Sequence, residues 1–458
     1  MRKSAQHGKP EKGQSSREVM YPNAAGIDVG SAESYVAVPE DRDEQPVRKF
    51  GCFTEDLHAL ATWLRQCGVD TVAMESTGVY WVPLFQILET HGLEVFLVNA
   101  RHVKNVPGRK SDVSDCQWLQ QLHSFGLLSA SFRPEDEICV LRSYWRHRDN
   151  LIRYAASHVQ HIQKALEQMN VQLHKVITDI SGVSGLRIID AILDGERDRL
   201  KLAALKDPRI RSSTDRIAKA LEGDYRPEHL FALKQALQTY RFCQDQLAQC
   251  DVQIEQYLHT LDSQVDLEQQ PLPPSKPGRK KHQGNQPHFD LRAHLYRISG
   301  VDFTQLEGFD VVNVQTILSE IGLDSSMFPT PKRFTSWLGV CPDNRITGGK
   351  IKSSRTRRVK NRAADAFRMA AQSVANSAGP MGSFYRRKRA RLGPAEANTA
   401  TAHKLARVFY RLWSNPTAYD PTLVERHEQQ HEQRTIDYLQ KRARALGLQL
   451  VPQLVAGQ

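Results

Sequence analysis

Two carboxylates interrupt otherwise apolar, strand-forming runs near the N-terminus, and few folds tolerate that twice. Ala24-Ala25-Gly26-Ile27-Asp28-Val29-Gly30 and Thr71-Val72-Ala73-Met74-Glu75 each carry one acid at or near the C-terminal end. A charge inside a buried strand is costly unless it is paired or ligates a cation. Ser34-Tyr35-Val36-Ala37-Val38 reads as the hairpin partner of the first run, and Leu93 to Val98 as a third buried strand. Thr54 to Cys67 has the period of an amphipathic helix, with Leu57, Leu60, Ala61 and Leu64 on one side, and Val79 to Glu89 that of an apolar one. Strand, hairpin, helix, strand, helix, strand, helix predicts an α/β layer fold. In such folds acids at strand C-terminal ends share one edge of the sheet.

A second pair of acids follows the third strand, in Gly108-Arg109-Lys110-Ser111-Asp112-Val113-Ser114-Asp115-Cys116. Ser111 is a good helix N-cap, so Asp112 and Asp115 fall on one face of the first turn. Alone, this is an ordinary helix start whose acids favour the dipole. With Asp28 and Glu75 it completes a set of four carboxylates without a matching buried base, and these would repel one another. Mg²⁺ or Mn²⁺ relieves that repulsion through hard oxygen ligands, and two such ions clamp the attacking and leaving oxygens of a phosphodiester. Lys110 then steadies a DNA phosphate or the acids. Gly26 to Ser31 also resembles the first phosphate loop of sugar-kinase and actin-like ATPases, but no second Gly-rich phosphate loop or adenosine motif follows in a suitable place.

The net charge of +11 matters less than its distribution. Between Ala25 and Ala100 there are 4 Lys/Arg against 12 Asp/Glu, and between Pro331 and Leu392 there are 16 against 2. A carboxylate-lined module is thus joined to one built for a polyanion, and nucleic acid is the default partner. No window offers a membrane-spanning run, and the polar stretch Met1 to Arg17 reads as a disordered arm rather than a secretory signal. Seven scattered cysteines, none in Cys-x-x-Cys, argue for reduced thiols in a cytosolic setting and against zinc.

Between the two modules, Cys139 to Asn170 and Ala232 to Leu261 carry helical periodicity over many turns, suiting an antiparallel coiled coil, a dimer seam or a helical spacer. Ile180-Ser181-Gly182-Val183-Ser184-Gly185 and Ile298-Ser299-Gly300-Val301 are Gly-containing turns before helices. They resemble helix-hairpin-helix elements, whose backbone N–H groups can hold phosphate, or are simple packing joints. Gln269 to His288, with several Pro and the bases Lys276, Arg279, Lys280 and Lys281, reads as a flexible linker loose on the surface.

In the basic module a loop, Val340-Cys341-Pro342-Asp343-Asn344-Arg345-Ile346-Thr347-Gly348-Gly349-Lys350, places a hydroxyl before two glycines. Lys352, Arg355, Arg357, Arg358, Lys360 and Arg362 follow, then a small-residue helix from Ala363 to Ala375 with Met369 as core, a basic segment from Phe384 to Arg391 and an amphipathic helix from Thr401 to Trp413. Arg345, Lys350 and the six bases after them are the nucleic-acid-binding candidates, and such density should give strongly salt-dependent binding. Asn415 to Gln458 reads as a charged helical tail.

Gly-Ile-Asp-Val-Gly, Met-Glu-Ser-Thr-Gly-Val-Tyr and Arg-Lys-Ser-Asp-Val-Ser-Asp resemble, in order and spacing, the N-terminal domain of the insertion-sequence-110 transposases. Leu338-Gly339 with Pro342, and Lys360, Arg362 and Ala363, are similar to that family's second domain. The resemblance implies a RuvC-like, RNase H-type domain whose D-E-D-D set is Asp28, Glu75, Asp112 and Asp115, bound to Mg²⁺ or Mn²⁺. It implies a mostly α C-terminal domain whose hydroxyl attacks DNA to form a phospho-enzyme link. It further implies a homo-oligomer (dimer or tetramer) combining acids of one subunit with the hydroxyl of another, an element-encoded noncoding RNA, and a nucleoid-associated place in a bacterial or archaeal cytoplasm. The family's nucleophile is serine, whereas the aligned residue here is Thr347, with Ser353 and Ser354 as nearby alternatives. A threonine methyl restricts χ1 and crowds in-line attack. The expected division is an arm over 1–20, a metal-binding domain over 21–135, a helical segment over 136–265, a linker over 266–289, a nucleophile domain over 290–415 and the tail over 416–458. A metal-dependent junction nuclease, or a non-catalytic DNA-binding relative, would share most of these features.

Overall fold

The computed structural model describes residues 19–75, 78–98, 112–276, 284–420 and 422–451. The expected arm Met1–Arg17, Thr77, Lys110, the Ser111 cap and the bases Arg279–Lys281 lie outside the described residues. So does the side chain of Asp112. The chain divides into two compact units, one up to Arg133 and one from Pro134.

The first unit is built on a five-stranded mixed sheet in the order β3-β2-β1-β4-β5. Its strands are β1 (Ala24–Val29), β2 (Glu33–Ala37), β3 (Val47–Gly51), β4 (Thr71–Glu75) and β5 (Glu94–Val98). β1, β4 and β5 run parallel, and β2 and β3 are antiparallel. β3 was absent from the expected order. Its Val-Arg-Lys-Phe-Gly sequence sits at the sheet edge, where no second strand demands an apolar run.

Alternation along the strands gives the sheet two different faces. Ala25, Ile27, Val29, Val72 and Met74 pack in one core with Leu57, Leu60 and Leu64 of α1 (Thr54–Gln66) and Leu84 and Leu88 of α2 (Trp81–Thr90). The intervening residues Gly26, Asp28, Ala73 and Glu75 face the other side, which α3 (Asp112–Ser124) covers. A Cβ on Gly26 would stand 2.3 Å from both the Cys116 carbonyl oxygen and the Gln120 amide nitrogen. Only glycine lets helix backbone meet strand backbone there.

The second unit is helical. α4 (Asp136–Gln168) and α8 (Pro227–Thr260) pair antiparallel along most of their length. The Tyr257 hydroxyl donates to the Glu137 carbonyl, Cys250 Sγ to the Tyr144 carbonyl, and Arg148 to a buried Asp251. Within one chain, therefore, the two long helices form the antiparallel coiled coil. Val252 lies outside its seam, exposed. Three shorter helices, α5 (Val183–Leu193), α6 (Arg199–Ala204) and α7 (Thr214–Ala220), close its far end around Ile162, Leu166, Ile188, Ile192 and Leu233.

The remaining helices are α9 (Leu291–Ser299), α10 (Val311–Ile321), α11 (Pro331–Trp337), α12 (Arg362–Ser373), α13 (Pro380–Leu392), α14 (Pro394–Ser414) and α15 (Thr422–Ala445). Phe303, Phe334, Phe367 and Phe409 form their aromatic core. Met369, expected in the core, is instead 59 % exposed, because α12 turns Ala363, Ala364, Phe367, Ala370 and Ala371 inward. The start of the expected loose linker is also held. Arg292 donates to the Pro273 carbonyl at 2.6 Å and Gln305 to the Pro274 carbonyl at 3.0 Å, using acceptors that a proline-rich segment cannot satisfy internally.

His123 anchors the end of α3. It lies 2.9 Å from Thr71 Oγ1 and packs against Tyr21 and Phe96, and burial pushes its pKa down to about 4. Below pH ~6.5 the unfolded chain takes up a proton that the folded chain refuses, so stability falls as pH drops toward 4 and is level above 6.5. A His123→Gln variant should lose about 2 kcal/mol less than the parent between pH 7 and pH 5. Urea midpoints of the two full chains across that range measure the difference.

Candidate active site and nucleic-acid interface

Asp28 sits one residue beyond the Ile27↔Met74 register pair, and Glu75 one residue beyond it on the neighbouring parallel strand. The two acids are therefore adjacent at the C-terminal edge of the sheet, on the face that α3 covers. Both are half-buried.

The direction of α3 brings the second pair to them. Its C-terminal end is fixed at the start of the strands. The Gln120 side-chain amide donates to the Ala24 carbonyl at 3.3 Å, His123 bonds Thr71, and the Ser124 carbonyl accepts from Met20 N at 2.8 Å. α3 thus runs antiparallel to β1 and β4. From Cys116, over Gly26, back to Asp112 is four residues, or ~6 Å of helix. From Gly26 forward to Asp28 is two residues, or ~6.6 Å of strand. The first turn of α3 consequently arrives over the strand ends that carry Asp28 and Glu75.

Asp115 is half-buried in that turn. The Cys116 thiol beside it is pushed up to about 12, first by burial and further by the charges of Asp28 and Asp115. One thiol feeling both carboxylates ties the strand acid to the helix acid electrostatically. Asp112 opens the helix, and Lys110 lies outside the described residues.

Thr347 belongs to the second unit and stands in a β-hairpin rather than the expected open loop. β6 (Arg345–Thr347) and β7 (Lys350–Ser353) pair antiparallel through Gly348 and Gly349, at φ 56° and 72°. Two successive positive φ values are the mark of a type I′ turn, and Gly-Gly between Ile-Thr and Lys-Ile was its sequence signal. The cue was masked because both strands are solvated and show no burial alternation. Thr347 is exposed beside the turn, and Ser353 Oγ accepts from Arg355 N at 3.3 Å.

Arg345, Lys350, Lys352, Arg355, Arg357, Arg358 and Lys360 are all exposed on or just after the hairpin. Arg357 also donates to the Ser336 carbonyl at 2.6 Å, which fastens the strand exit to α11. Arg362 differs from these. It is half-buried and pairs with Asp149 of α4 at 2.8 Å, a structural contact across 213 residues that no local pattern could reveal. Further bases crowd the face of α13 and α14. Arg387, Lys388 and Lys404 lie 5.5, 5.4 and 4.4 Å from the Phe384 ring centroid. The Lys388 pKa is lowered, first by burial and then by Arg391, Arg387 and Lys404. A polyanion would relieve that crowding.

The mixed five-stranded sheet with its flanking helices fits an α/β RNase H-like fold. A transposase family model of the DEDD, IS110 type matches residues 25–171, and the model of the transposase IS116/IS110/IS902 family matches residues 302–386. The chain belongs to the IS110 family of transposases, enzymes that act on DNA. No individual curated protein matches it significantly. Divalent metal use is general in DEDD transposases. No helix among the described residues is long and apolar enough to cross a membrane.

Arg355 and Arg358 are exposed and have no described structural duty, so replacing both by Ala should leave folding intact. The slope of log K against log salt for duplex DNA should become shallower by about 2, since each phosphate contact contributes about 0.9. Fluorescence-anisotropy titrations at several salt concentrations give the slope directly.

Proposed function

We propose that the chain is a divalent-metal-dependent DNA transposase/recombinase in which Thr347 is the hydroxyl nucleophile. The observation that carries the reading is the arrival of the first turn of α3 over the strand ends bearing Asp28 and Glu75. Asp28, Glu75, Asp112 and Asp115 are the proposed ligands of Mg²⁺ or Mn²⁺. Asp28, Glu75 and Asp115 are half-buried, and a ligand set of carboxylates suits a hard cation. When bound, the metal supplies charge neutralisation at the phosphodiester and positions its oxygens.

The remaining chemistry belongs to the chain. Arg345, Lys350, Lys352, Arg355, Arg357, Arg358 and Lys360 hold the DNA backbone around the hairpin, and Lys110 steadies a phosphate or the acids. Arg362, tied to Asp149, positions the strand exit instead. Thr347 Oγ1 attacks phosphorus, so a phosphothreonine bond forms as the bond to the leaving sugar oxygen breaks. The hydroxyl proton ends on that oxygen, and reversal of the step releases the enzyme and joins the new strand. Placing the hydroxyl at the tip of an exposed hairpin gives the threonine methyl room that a buried site would deny it.

Ser181 to Gly185 across the start of α5, and Ser299 to Val301 across the end of α9, are the proposed helix-hairpin-helix-like phosphate contacts. Gly182 precedes the first helical residue of α5, and Gly300 ends α9 in the left-handed region at φ 73°. In this reading residues 21–135 bind metal, 136–265 form the helical spacer, 266–289 connect and 290–415 deliver the nucleophile. The protein acts as a homo-oligomer on element ends and target DNA, with an element-encoded noncoding RNA as a further partner.

Comparison of Asp115→Asn with Thr347→Ala on a labelled element-end substrate tests the reading. Both should lower strand exchange by on the order of 10³-fold or more, and Thr347→Ser should retain it. If Thr347→Ala cleaves and exchanges normally while Asp115→Asn does not, the protein is a junction nuclease using water. If Asp28→Asn is also fully active, the metal site is not used.

A further inference from the structure

A second set of ligating side chains lies far from the acid cluster in sequence, where α8 ends and α9 begins. We propose that Glu255, His259 and His294 form a transition-metal site, suited to Zn²⁺, that clips the end of the coiled-coil helix α8 to α9.

Glu255 and His259 are one helical turn apart and therefore share a face of α8. His294 reaches them from α9, and one ligand atom from each of the three lies within 4.8 Å of the others. The two imidazole rings meet edge to face, with centroids 4.6 Å apart and planes at 89°. The His294 Nδ1 is out of reach of solvent and has no hydrogen-bond partner among the described residues. A buried ring nitrogen in that state is destabilising. Ligation through Nδ1 would give it a partner.

The scaffold is braced without the metal. The Arg297 guanidinium of α9 donates to the Leu258 and Leu261 carbonyls at the end of α8, and Gln264 N donates back to the Arg297 carbonyl at 2.8 Å. Three ligands on two tied helices need small side-chain motions, not refolding, to close on an ion. Such preorganisation distinguishes a site from a chance meeting of histidines.

The donor set selects the metal. Two imidazoles and one carboxylate match the three-ligand zinc pattern that leaves a fourth position for water. Imidazole disfavours Mg²⁺ and Ca²⁺, which prefer all-oxygen ligand sets. The expectation against zinc drawn from cysteine spacing does not reach this site, because no thiolate is involved. Its sequence signal is Glu-x-x-x-His near the end of a long helical period, with a further histidine 35 residues on. A bound ion would close the segment between His259 and His294 into a loop, holding the coiled coil and the C-terminal helices in one arrangement.

The test uses the untagged full chain in excess Mg²⁺, titrated with Zn²⁺ against a chromophoric chelator. One Zn²⁺ per chain should bind, and His259→Ala should weaken it by on the order of 100-fold, no less than outer-shell changes cost. Because His259 is exposed, that variant should match the parent in thermal unfolding without metal, and only the parent should gain stability when Zn²⁺ is added. His58→Ala, which breaks the surface pair of His58 with His91, should leave the tight zinc unchanged. Equal zinc affinity in His259→Ala and the parent, or loss of the tight ion in His58→Ala instead, would overturn the proposal.

Discussion

The contact on which the first unit depends is the seating of the α3 backbone on Gly26. With no side chain at that position, the Cys116 carbonyl and the Gln120 amide come within the space a Cβ would need. Close approach fixes the distance of the helix from the sheet, and the Gln120 and His123 bonds at its far end fix its direction. Distance and direction together decide that the first turn of α3 arrives where Asp28 and Glu75 end their strands. The energetic cost of collecting like charges is thus borne by apolar packing on the opposite face, where Ile27 and Met74 join the α1 and α2 core.

In the second unit the corresponding constraint is polar. Arg148 and Asp251 are almost wholly buried, at 4 % and 7 % side-chain exposure, and Arg148 also reaches the Asn285 carbonyl at 2.9 Å. Such a pair adds little stability over an apolar one but penalises any other register of the two helices. From the same stretch of α4, Arg146 grips Glu320, Trp145 bonds Thr316 and Asp149 takes Arg362. The basic hairpin is therefore connected to α4 through the start of α12. One helix face, from Trp145 to Asp149, sets both the coiled-coil register and the footing of the basic module.

What could be read from the sequence follows the physical range of each signal. The strands β1, β2, β4 and β5, and α1, α2, α4 and α8, follow from local apolar period because each buries one face. β3 and the β6–β7 hairpin escaped, since an edge strand and a solvated ribbon carry no such period. Met369 was assigned to a core that the phase of Phe367 and Ala370 actually defines. Asp28 and Glu75 stood out because strand-end acids are costly and hence conspicuous. Asp149 with Arg362, and His259 with His294, were not, for pairing between distant segments leaves no mark in either one alone.

A hydroxyl on the hairpin served by the acids is the mechanism we propose. Its most direct test traps the full chain, with Mg²⁺, on a suicide DNA substrate whose cut end cannot be rejoined, and maps the DNA-linked peptide by mass spectrometry. A link at Thr347 is the predicted result. Cleaved DNA with no protein attached, or a link at Ser353 or Ser354, would contradict it.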